Sequence, residues 1–139
     1  MPALKRASSG KGSRGFTLLE LMIVISIMLI LVSVGVPMYQ NSIKRARESV
    51  LRQNLFTLRS VISQYTLDKQ KAPQSLDDLI GANYLKVIPP DPITGVADWT
   101  VNSEEDTIMS ADEQDQGGID DVHSSSPQIG TNGTAYSSW

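Results

Sequence analysis

A long apolar stretch near the N-terminus dominates the pattern of hydrophobic and polar positions. Residues 21–36 contain no charged side chain, and residues 16–38 contain only Glu20. At ~1.5 Å per residue the longer stretch would span about 34 Å as an α-helix, enough for a hydrocarbon layer of ~30 Å. Its Leu, Ile, Val and Met side chains surround the helix on every side, which predicts contact with lipid or with other apolar helices.

A second helical pattern follows, and this one is amphipathic. Residues 41–71 contain neither Gly nor Pro, and apolar side chains recur there at steps of four, three, four and three. That spacing places one set of side chains on a single helix face: Leu51, Leu55, Leu58, Ile62 and Tyr65. We therefore expect one long helix with a membrane half and an amphipathic half, the latter covered by the rest of the chain.

The remainder of the chain predicts short elements and long loops. Ser75, followed three residues later by Asp78, is a capping-box variant and predicts a short helix over residues 76–82. Weak strand signals lie at residues 99–101, 107–109 and 135–136, and Asn132-Gly133 predicts a two-residue hairpin turn. The expected fold class is α+β, with the long N-terminal α-helix packed on a small C-terminal antiparallel β-sheet of two or three strands.

Charge is segregated along the chain. The first fifteen residues hold four basic side chains, and the remainder holds eight basic against fifteen acidic, a net charge of −7. A nucleic-acid reader needs a basic patch on its folded part, so we expect no nucleic acid as main partner. There is no cysteine, and His123 is the only histidine and is expected in a loop, so neither a nucleophilic triad nor a zinc site is predicted. We expect no enzyme.

The single carboxylate in the apolar stretch separates three interpretations of that stretch. A secretory signal peptide and a plain single-pass anchor both account for apolar residues, but neither accounts for Glu20. An ionised carboxylate in hydrocarbon costs several kcal/mol, so Glu20 needs a cationic partner. The basic residues Lys44, Arg45 and Arg47 follow the stretch almost as densely as four others precede it, so charge only weakly favours a cytoplasmic N-terminus, the orientation adopted.

The residues Gly15-Phe16-Thr17-Leu18-Leu19-Glu20, after a basic leader, resemble the processing site of type IV pilins and type II secretion pseudopilins. The resemblance implies that prepilin peptidase cuts between Gly15 and Phe16 and that Phe16 becomes N-methylated. The domains would be a cleaved leader (1–15), a transmembrane and polymerisation helix (16–38) and a soluble pilin head (39–139) that includes the amphipathic helix. The freed amine of a neighbouring copy is the cation that Glu20 lacks, and this pairing would fix the register of the filament.

A series of residues further resembles the major pseudopilin subfamily of type II secretion, general secretion pathway protein G: Pro73, Leu79, Tyr84-Leu85, Pro89, Asp91-Pro92 and Gly95. It departs at residues 93–94, where that subfamily more often has an aromatic residue before the glycine. The resemblance implies a pilin fold and a periplasmic helical filament supporting protein export. The implied partners are copies of the same chain, an inner-membrane assembly platform and minor pseudopilins, and the head is periplasmic. The alternatives are a type IV pilus subunit for adhesion, motility or DNA uptake, and a membrane-anchored periplasmic binding module.

Two further expectations concern the helix and the acidic C-terminal region. Gly35 and Pro37 predict a kink or local melting where the helix leaves the membrane, since proline removes a backbone donor. Five carboxylates lie between residues 112 and 121, and the resemblance implies a calcium site there, with Asp115, Asp120 and Asp121 as candidate ligands. The alternative is a solvated acidic loop.

Overall fold

Helices and one small sheet make up the described part of the chain. The computed structural model describes residues 2–3, 15–103 and 117–139. In chain order its elements are helix α1 (Leu18–Lys69), helix α2 (Leu76–Gly81), strand β1 (Thr100–Ser103), strand β2 (Ile119–His123) and a 3-10 turn, Tyr136–Ser138. The expected α+β class, with a long N-terminal helix and a small antiparallel sheet, is confirmed.

The chain divides into two compact units, Met1–Tyr39 and Gln40–Trp139. The described helical residues of the first unit are all exposed to solvent. The second unit, here called the head, contains a hydrophobic core, and its part of α1 contributes the predicted stripe. All five stripe residues are buried: Leu51, Leu55, Leu58, Ile62 and Tyr65. The amphipathic prediction is therefore confirmed.

The stripe of α1 is covered by apolar side chains from α2, the sheet and the C-terminal segment. Leu79, Trp99, Ile119, Val122 and Tyr136 complete the buried cluster. Helix α2 begins near its predicted position, and the Asp78 carboxylate accepts hydrogen bonds from the backbone N–H groups of Gln74 (2.9 Å) and Ser75 (3.1 Å). This capping satisfies donors at the helix start, which holds Leu79 against the core.

The sheet consists of β1 and β2 in antiparallel pairing, with Thr100 opposite His123 and an irregularity between Asn102 and Ser103. In β2 the buried residues are Ile119 and Val122, whereas β1 is exposed along its whole length. The backbone enters β2 beside Ala72, where a β-carbon added at Gly118 would lie 2.5 Å from the Ala72 β-carbon. Glycine at position 118 therefore permits the close approach that seats β2.

Several local predictions need correction. The strand expected at residues 99–101 begins at Thr100, and the one expected at 107–109 lies outside the described residues. Strand β2 was not predicted, and the expectation that His123 lies in a loop is wrong because His123 ends this strand. The expected strand at 135–136 is also wrong, because Ala135 forms only an isolated bridge with Ile129 and Tyr136 starts a 3-10 turn.

The turn at Asn132-Gly133 exists, but it is one residue longer than predicted. Gly133 N–H donates to the Gly130 carbonyl (3.1 Å), so Thr131 and Asn132 are the central residues, and Gly133 follows with φ of 82°. This is the arrangement of a three-residue hairpin loop, in which glycine supplies the left-handed conformation. The longer loop places Thr131 toward α1.

Helix α1 continues through Gly35 and Pro37 without a break. A β-carbon added at Gly35 would meet no atom within 4 Å, so no packing contact in the described chain requires glycine there. Local melting is therefore absent from this structure. Of the two expected outcomes only a kink remains, and it stays a prediction.

The buried stripe predicts a large difference between two neighbouring positions of α1. Leu58 is fully buried, whereas Phe56 is 67% exposed. Leu58→Ala should lower the free energy of unfolding of the head by about 2–5 kcal/mol, because a cavity replaces the side chain. Phe56→Ala should change it by about 0.5 kcal/mol or less. Urea titration of the detergent-solubilised chain, followed by tryptophan fluorescence, measures both. Equal losses would contradict the assigned burial.

Candidate processing and assembly site

The backbone around the predicted cleavage bond is non-helical. Gly15, Phe16 and Thr17 precede the first turn of α1, and Phe16 is 82% exposed. A β-carbon added at Gly15 would meet no atom within 4 Å. No packing contact in the described chain therefore requires glycine at this position.

Thr17 caps the N-terminus of α1. Its Oγ1 accepts a hydrogen bond from the Glu20 backbone N–H (3.1 Å), and its carbonyl accepts one from the Leu21 N–H (3.1 Å). Thr-x-x-Glu is the sequence pattern of a capping box. Sequence reasoning treated Glu20 only as an unpaired acid and missed Thr17, although this pattern could have identified it.

Glu20 lies in the first turn of α1 and is exposed. The positive end of the helix dipole lies here, and it favours a carboxylate by about 0.3–1 kcal/mol. Among the described residues, no cationic side chain lies within 4.0 Å of the Glu20 carboxylate. The helix start thus stabilises the charge partly and leaves it open to an additional cation.

The apolar half of α1 is uncovered. By length and composition this part of the helix could cross a membrane, and none of the qualifying segment is buried in the described structure. Exposed aliphatic side chains surround it on every side, including Leu19, Ile25, Leu29 and Leu31. An apolar surface of this extent requires lipid or other helices as its surroundings.

A second carboxylate on α1, Glu48, has all its partners inside the head. It is 2% exposed, and it accepts hydrogen bonds from the Thr131 N–H (2.7 Å), the Thr131 hydroxyl and the Tyr136 hydroxyl (2.8 Å). Lys44 donates from Nζ to the Ile129 carbonyl (2.9 Å) one turn earlier on α1. We call this set of contacts the Glu48 clamp, and it fastens the C-terminal hairpin to α1.

The contacts of the clamp shift the pKa values of Glu48 and Tyr136. Burial raises the pKa of Glu48, but the hydrogen bonds from Thr131 and Tyr136 and the charge of Lys44 outweigh it, so the pKa lies below 4.5. Burial and the contact with Glu48 raise the pKa of Tyr136 to about 12. Sequence reasoning missed Glu48, although it lies three residues before Leu51 and thus continues the spacing of the buried stripe.

An ion pair joins the sheet to α1. Arg59 donates from Nε to Asp121 Oδ1 (2.5 Å) and from Nη2 to the Val122 carbonyl (2.9 Å). His123 Nε2 lies 3.3 Å from Asp121 Oδ2. Burial raises the pKa of Asp121, but hydrogen bonds from Arg59 and the Val122 N–H, together with the charge of Arg59, bring it below its usual value.

The calcium candidates divide between described and undescribed residues. Asp115 lies outside the described residues, whereas Asp120 and Asp121 are neighbours in β2. The Asp121 carboxylate already has Arg59 and His123 as partners. Among the described residues no group of three His, Cys, Asp or Glu side chains could hold a metal ion. The described residues alone therefore do not form a calcium site, and the predicted site depends on residues outside them.

The described residues combine a Gly-Phe bond outside the helix, a glutamate in the first turn after the Thr17 cap, and an uncovered apolar helix followed by a small α+β head. Together these features define a type IV pilin-like class of protein. The Prokaryotic N-terminal methylation motif matches residues 10–36. Type II secretion system core protein G of Klebsiella pneumoniae is 32% identical over 95 residues, which cover 57% of this chain and 68% of that protein. The chain belongs to the type IV pilin-like family that includes this relative.

Other relatives match over a smaller part of their length. Type IV major fimbrial protein FimA of Dichelobacter nodosus is 38% identical over 72 residues, 52% of this chain and 46% of the relative. Type II secretion system core protein G of Pectobacterium carotovorum is 32% identical over 90 residues, 65% of this chain and 58% of the relative. The chain thus spans about half the length of these two. No solved structure gives a significant match.

The Glu48 clamp predicts that the head loses stability at both pH extremes. Glu48 has a lowered pKa in the folded chain, so its contribution is complete above pH 4.5 and is lost as the pH falls through the folded pKa. Tyr136 has a raised pKa, so its contribution is complete below pH 10.0 and is lost as the pH rises toward about 12. Thermal unfolding of the detergent-solubilised chain at a series of pH values measures both arms.

Two variants separate the groups. Glu48→Gln should lower the free energy of unfolding by about 1.5–3 kcal/mol at neutral pH, because it removes hydrogen bonds to a buried charge, and should flatten the acid arm. Tyr136→Phe keeps the ring and should flatten the alkaline arm. Unchanged pH profiles in both variants would show that the clamp does not carry this dependence.

Proposed function

We propose that this chain is a structural subunit of a type II secretion pseudopilus that supports protein export. Prepilin peptidase cuts between Gly15 and Phe16, and Phe16 is then N-methylated. The apolar half of α1 anchors the subunit in the bacterial inner membrane as a single span with a cytoplasmic N-terminus, and the head lies in the periplasm. Copies assemble into a helical filament with the membrane platform and minor pseudopilins. The similarity to core protein G of Klebsiella pneumoniae over most of that relative supports this proposal.

One observation carries the proposal: a carboxylate without a described cationic partner stands at the start of an uncovered apolar helix. A plain anchor gains nothing from Glu20, which only raises the cost of insertion. In a bundle of such helices, the Phe16 amine of a neighbouring copy would neutralise it. A shift of one helix along the bundle would leave both charges buried and unpaired. Packing between Leu and Ile side chains would tolerate such a shift, so the charge pair sets the register.

The head serves in this proposal as a rigid module and not as a catalyst. Its buried polar groups have partners within the head: the Ser124 hydroxyl and the Ile93 N–H (2.7 Å) bind the fully buried Asp91, and Thr131 and Tyr136 bind Glu48. Such satisfied networks hold loops in place. We assign no catalytic step to the chain.

Removal of the Glu20 carboxylate should abolish ordered assembly and leave insertion intact. Glu20→Ala deletes the charge while α1 keeps its length and the cap from the Thr17 hydroxyl, which binds backbone. Membrane fractionation should find the variant in the inner membrane at the wild-type level, and electron microscopy should find no regular filaments. Asp77→Ala is the matched control, because Asp77 is an exposed carboxylate in the first turn of α2. Regular filaments from Glu20→Ala would refute the pairing.

A surface type IV pilus is the second candidate, and the match to FimA favours it. FimA is a type IV major fimbrial protein by name, and its similarity covers about half of this chain. Deletion of the gene separates the two functions. Loss of secreted proteins with surface fibres retained supports the pseudopilus, whereas loss of surface fibres with normal secretion supports the pilus. A membrane-anchored binding module would show neither defect.

Calcium binding by the acidic C-terminal region is a further part of the proposal. A ligand that binds only the folded state stabilises it, so a chelator should lower the unfolding temperature of the purified chain. Asp120→Asn should abolish that response, because Asp120 is exposed in β2 and has no ion-pair partner among the described residues. Asp121→Asn should destabilise the head with or without chelator, because it breaks the pair with Arg59. An unchanged wild-type midpoint with chelator would remove calcium from the account.

A further inference from the structure

A cleft of mixed polar and apolar lining lies in the head, beside the first turns of α1 within the head. Its volume is about 400 Å³. Two cationic and two amide side chains face it together with three apolar or aromatic ones: Lys44, Arg47, Gln40, Gln128, Ile43, Ile93 and Tyr136. This volume falls within the range of small-molecule sites, and the mixture of donors and aliphatic groups suits an amphiphile with an anionic end.

Neither cation of the cleft forms an ion pair with a carboxylate of the described residues, although the charge of Lys44 helps to lower the pKa of Glu48 one turn further along α1. The only ion pairs among the described residues are those of Asp121 with Arg59 and His123, so no described carboxylate lies within 4.0 Å of Lys44 or Arg47. Arg47 is exposed, and Lys44 uses one donor on the Ile129 carbonyl (2.9 Å). Within the described part of the chain, Lys44 therefore keeps further N–H donors for a ligand, and the Arg47 guanidinium keeps all of its own.

The position of these cations along α1 indicates what they meet. Lys44 follows Met38, the end of the apolar stretch, by six residues, which is about 9 Å of helix rise. The headgroup zone adds roughly 5–8 Å on each side of the hydrocarbon layer, and Lys and Arg side chains reach back toward it. Tyr39, 68% exposed between the apolar stretch and the cations, is of a residue type enriched at membrane interfaces.

We propose that this cleft binds the phosphate headgroup of an anionic phospholipid, such as phosphatidylglycerol, in the outer leaflet of the inner membrane. Lys44 and Arg47 contact the phosphate, and the amides of Gln40 and Gln128 donate to the headgroup oxygens. Ile43 and Ile93 cover the glycerol backbone. The inference rests on the proposed function for its membrane placement, and it assigns a role to a basic flank that the positive-inside rule disfavours on this side.

Lipid explains the cleft better than an acidic segment of a second copy does. An acidic segment would need cations alone, whereas here aliphatic side chains line the same cleft as the cations. A phospholipid presents an anion and apolar carbon together, and the proposed membrane placement of the apolar half of α1 brings lipid within reach of Lys44, which follows Met38 by six residues. Binding of a second copy is the competing outcome of the test.

Native mass spectrometry of the full-length chain, released from detergent with defined lipids, tests the proposal. Phosphatidylglycerol and phosphatidylcholine are offered at equal concentration, and the bound fraction of each is measured. The wild-type chain should retain phosphatidylglycerol in preference to phosphatidylcholine. Each Lys or Arg near an anionic surface contributes about a fivefold preference, so the preference should reach about 25-fold when both cations act.

Three variants make the test specific. Arg47→Gln should reduce the preference about fivefold, and Lys44→Gln with Arg47→Gln should abolish it. The matched control, Lys71→Gln with Lys86→Gln, removes two exposed positive charges that do not line the cleft and should keep the preference. Lys44→Gln removes a hydrogen bond to the hairpin, so near-UV circular dichroism must check that the double variant is folded. If it is unfolded, the result for Arg47→Gln alone decides the test.

Three results would overturn the proposal. The first is a wild-type chain that retains both lipids equally. The second is a control pair that loses the preference as much as the cleft variants, which would indicate diffuse charge attraction. In the third result, Arg47→Gln loses dimers or filaments whether or not lipid is present, while the lipid preference stays intact. That result would assign the cleft to a second copy instead. Failure of the pseudopilus proposal is distinguishable, because it appears as normal secretion after gene deletion, whatever the lipid result.

Discussion

The Glu20 carboxylate needs a cationic partner, and the other properties proposed for this protein depend on that need. Glu20 stands where an uncovered apolar helix begins, and the Thr17 cap and the helix dipole meet that need only in part. Lipid cannot supply the rest. In the proposed function, the newly freed Phe16 amine of a neighbouring copy supplies the missing positive charge and thereby sets the filament register. Processing, assembly and membrane anchoring thereby become one physical problem.

The head shows how the same helix satisfies a different buried acid internally. The Glu48 carboxylate accepts three hydrogen bonds from Thr131 and Tyr136, and the residue is only 2% exposed. The two glutamates thus differ in their partners. Glu48 has hydrogen-bond donors within the head, whereas Glu20 has no cationic partner among the described residues. In the proposed filament, this difference would separate the part that is rigid before assembly from the part that assembly completes.

Local sequence pattern was sufficient to predict the long helix, its buried stripe and its uncovered apolar half, because each depends on residues within a few turns of one another. Periodicity could not pair residues distant in the chain. Glu48 and Thr131 are 83 residues apart, and Arg59 and Asp121 are 62 apart, so neither contact has a local signature. Strand β2 was missed for the same reason: two adjacent aspartates weaken its alternation, and the strand is held by its pairing with β1 and by the core.

Mass spectrometry of the N-terminus of native, assembled material tests the central claim most directly. The account predicts that every subunit in an ordered filament begins at N-methylated Phe16, because only a processed chain offers an amine to Glu20. Ordered filaments whose subunits still carry residues 1–15 would contradict it, since the amine would then lie fifteen residues away from the position that the pairing requires.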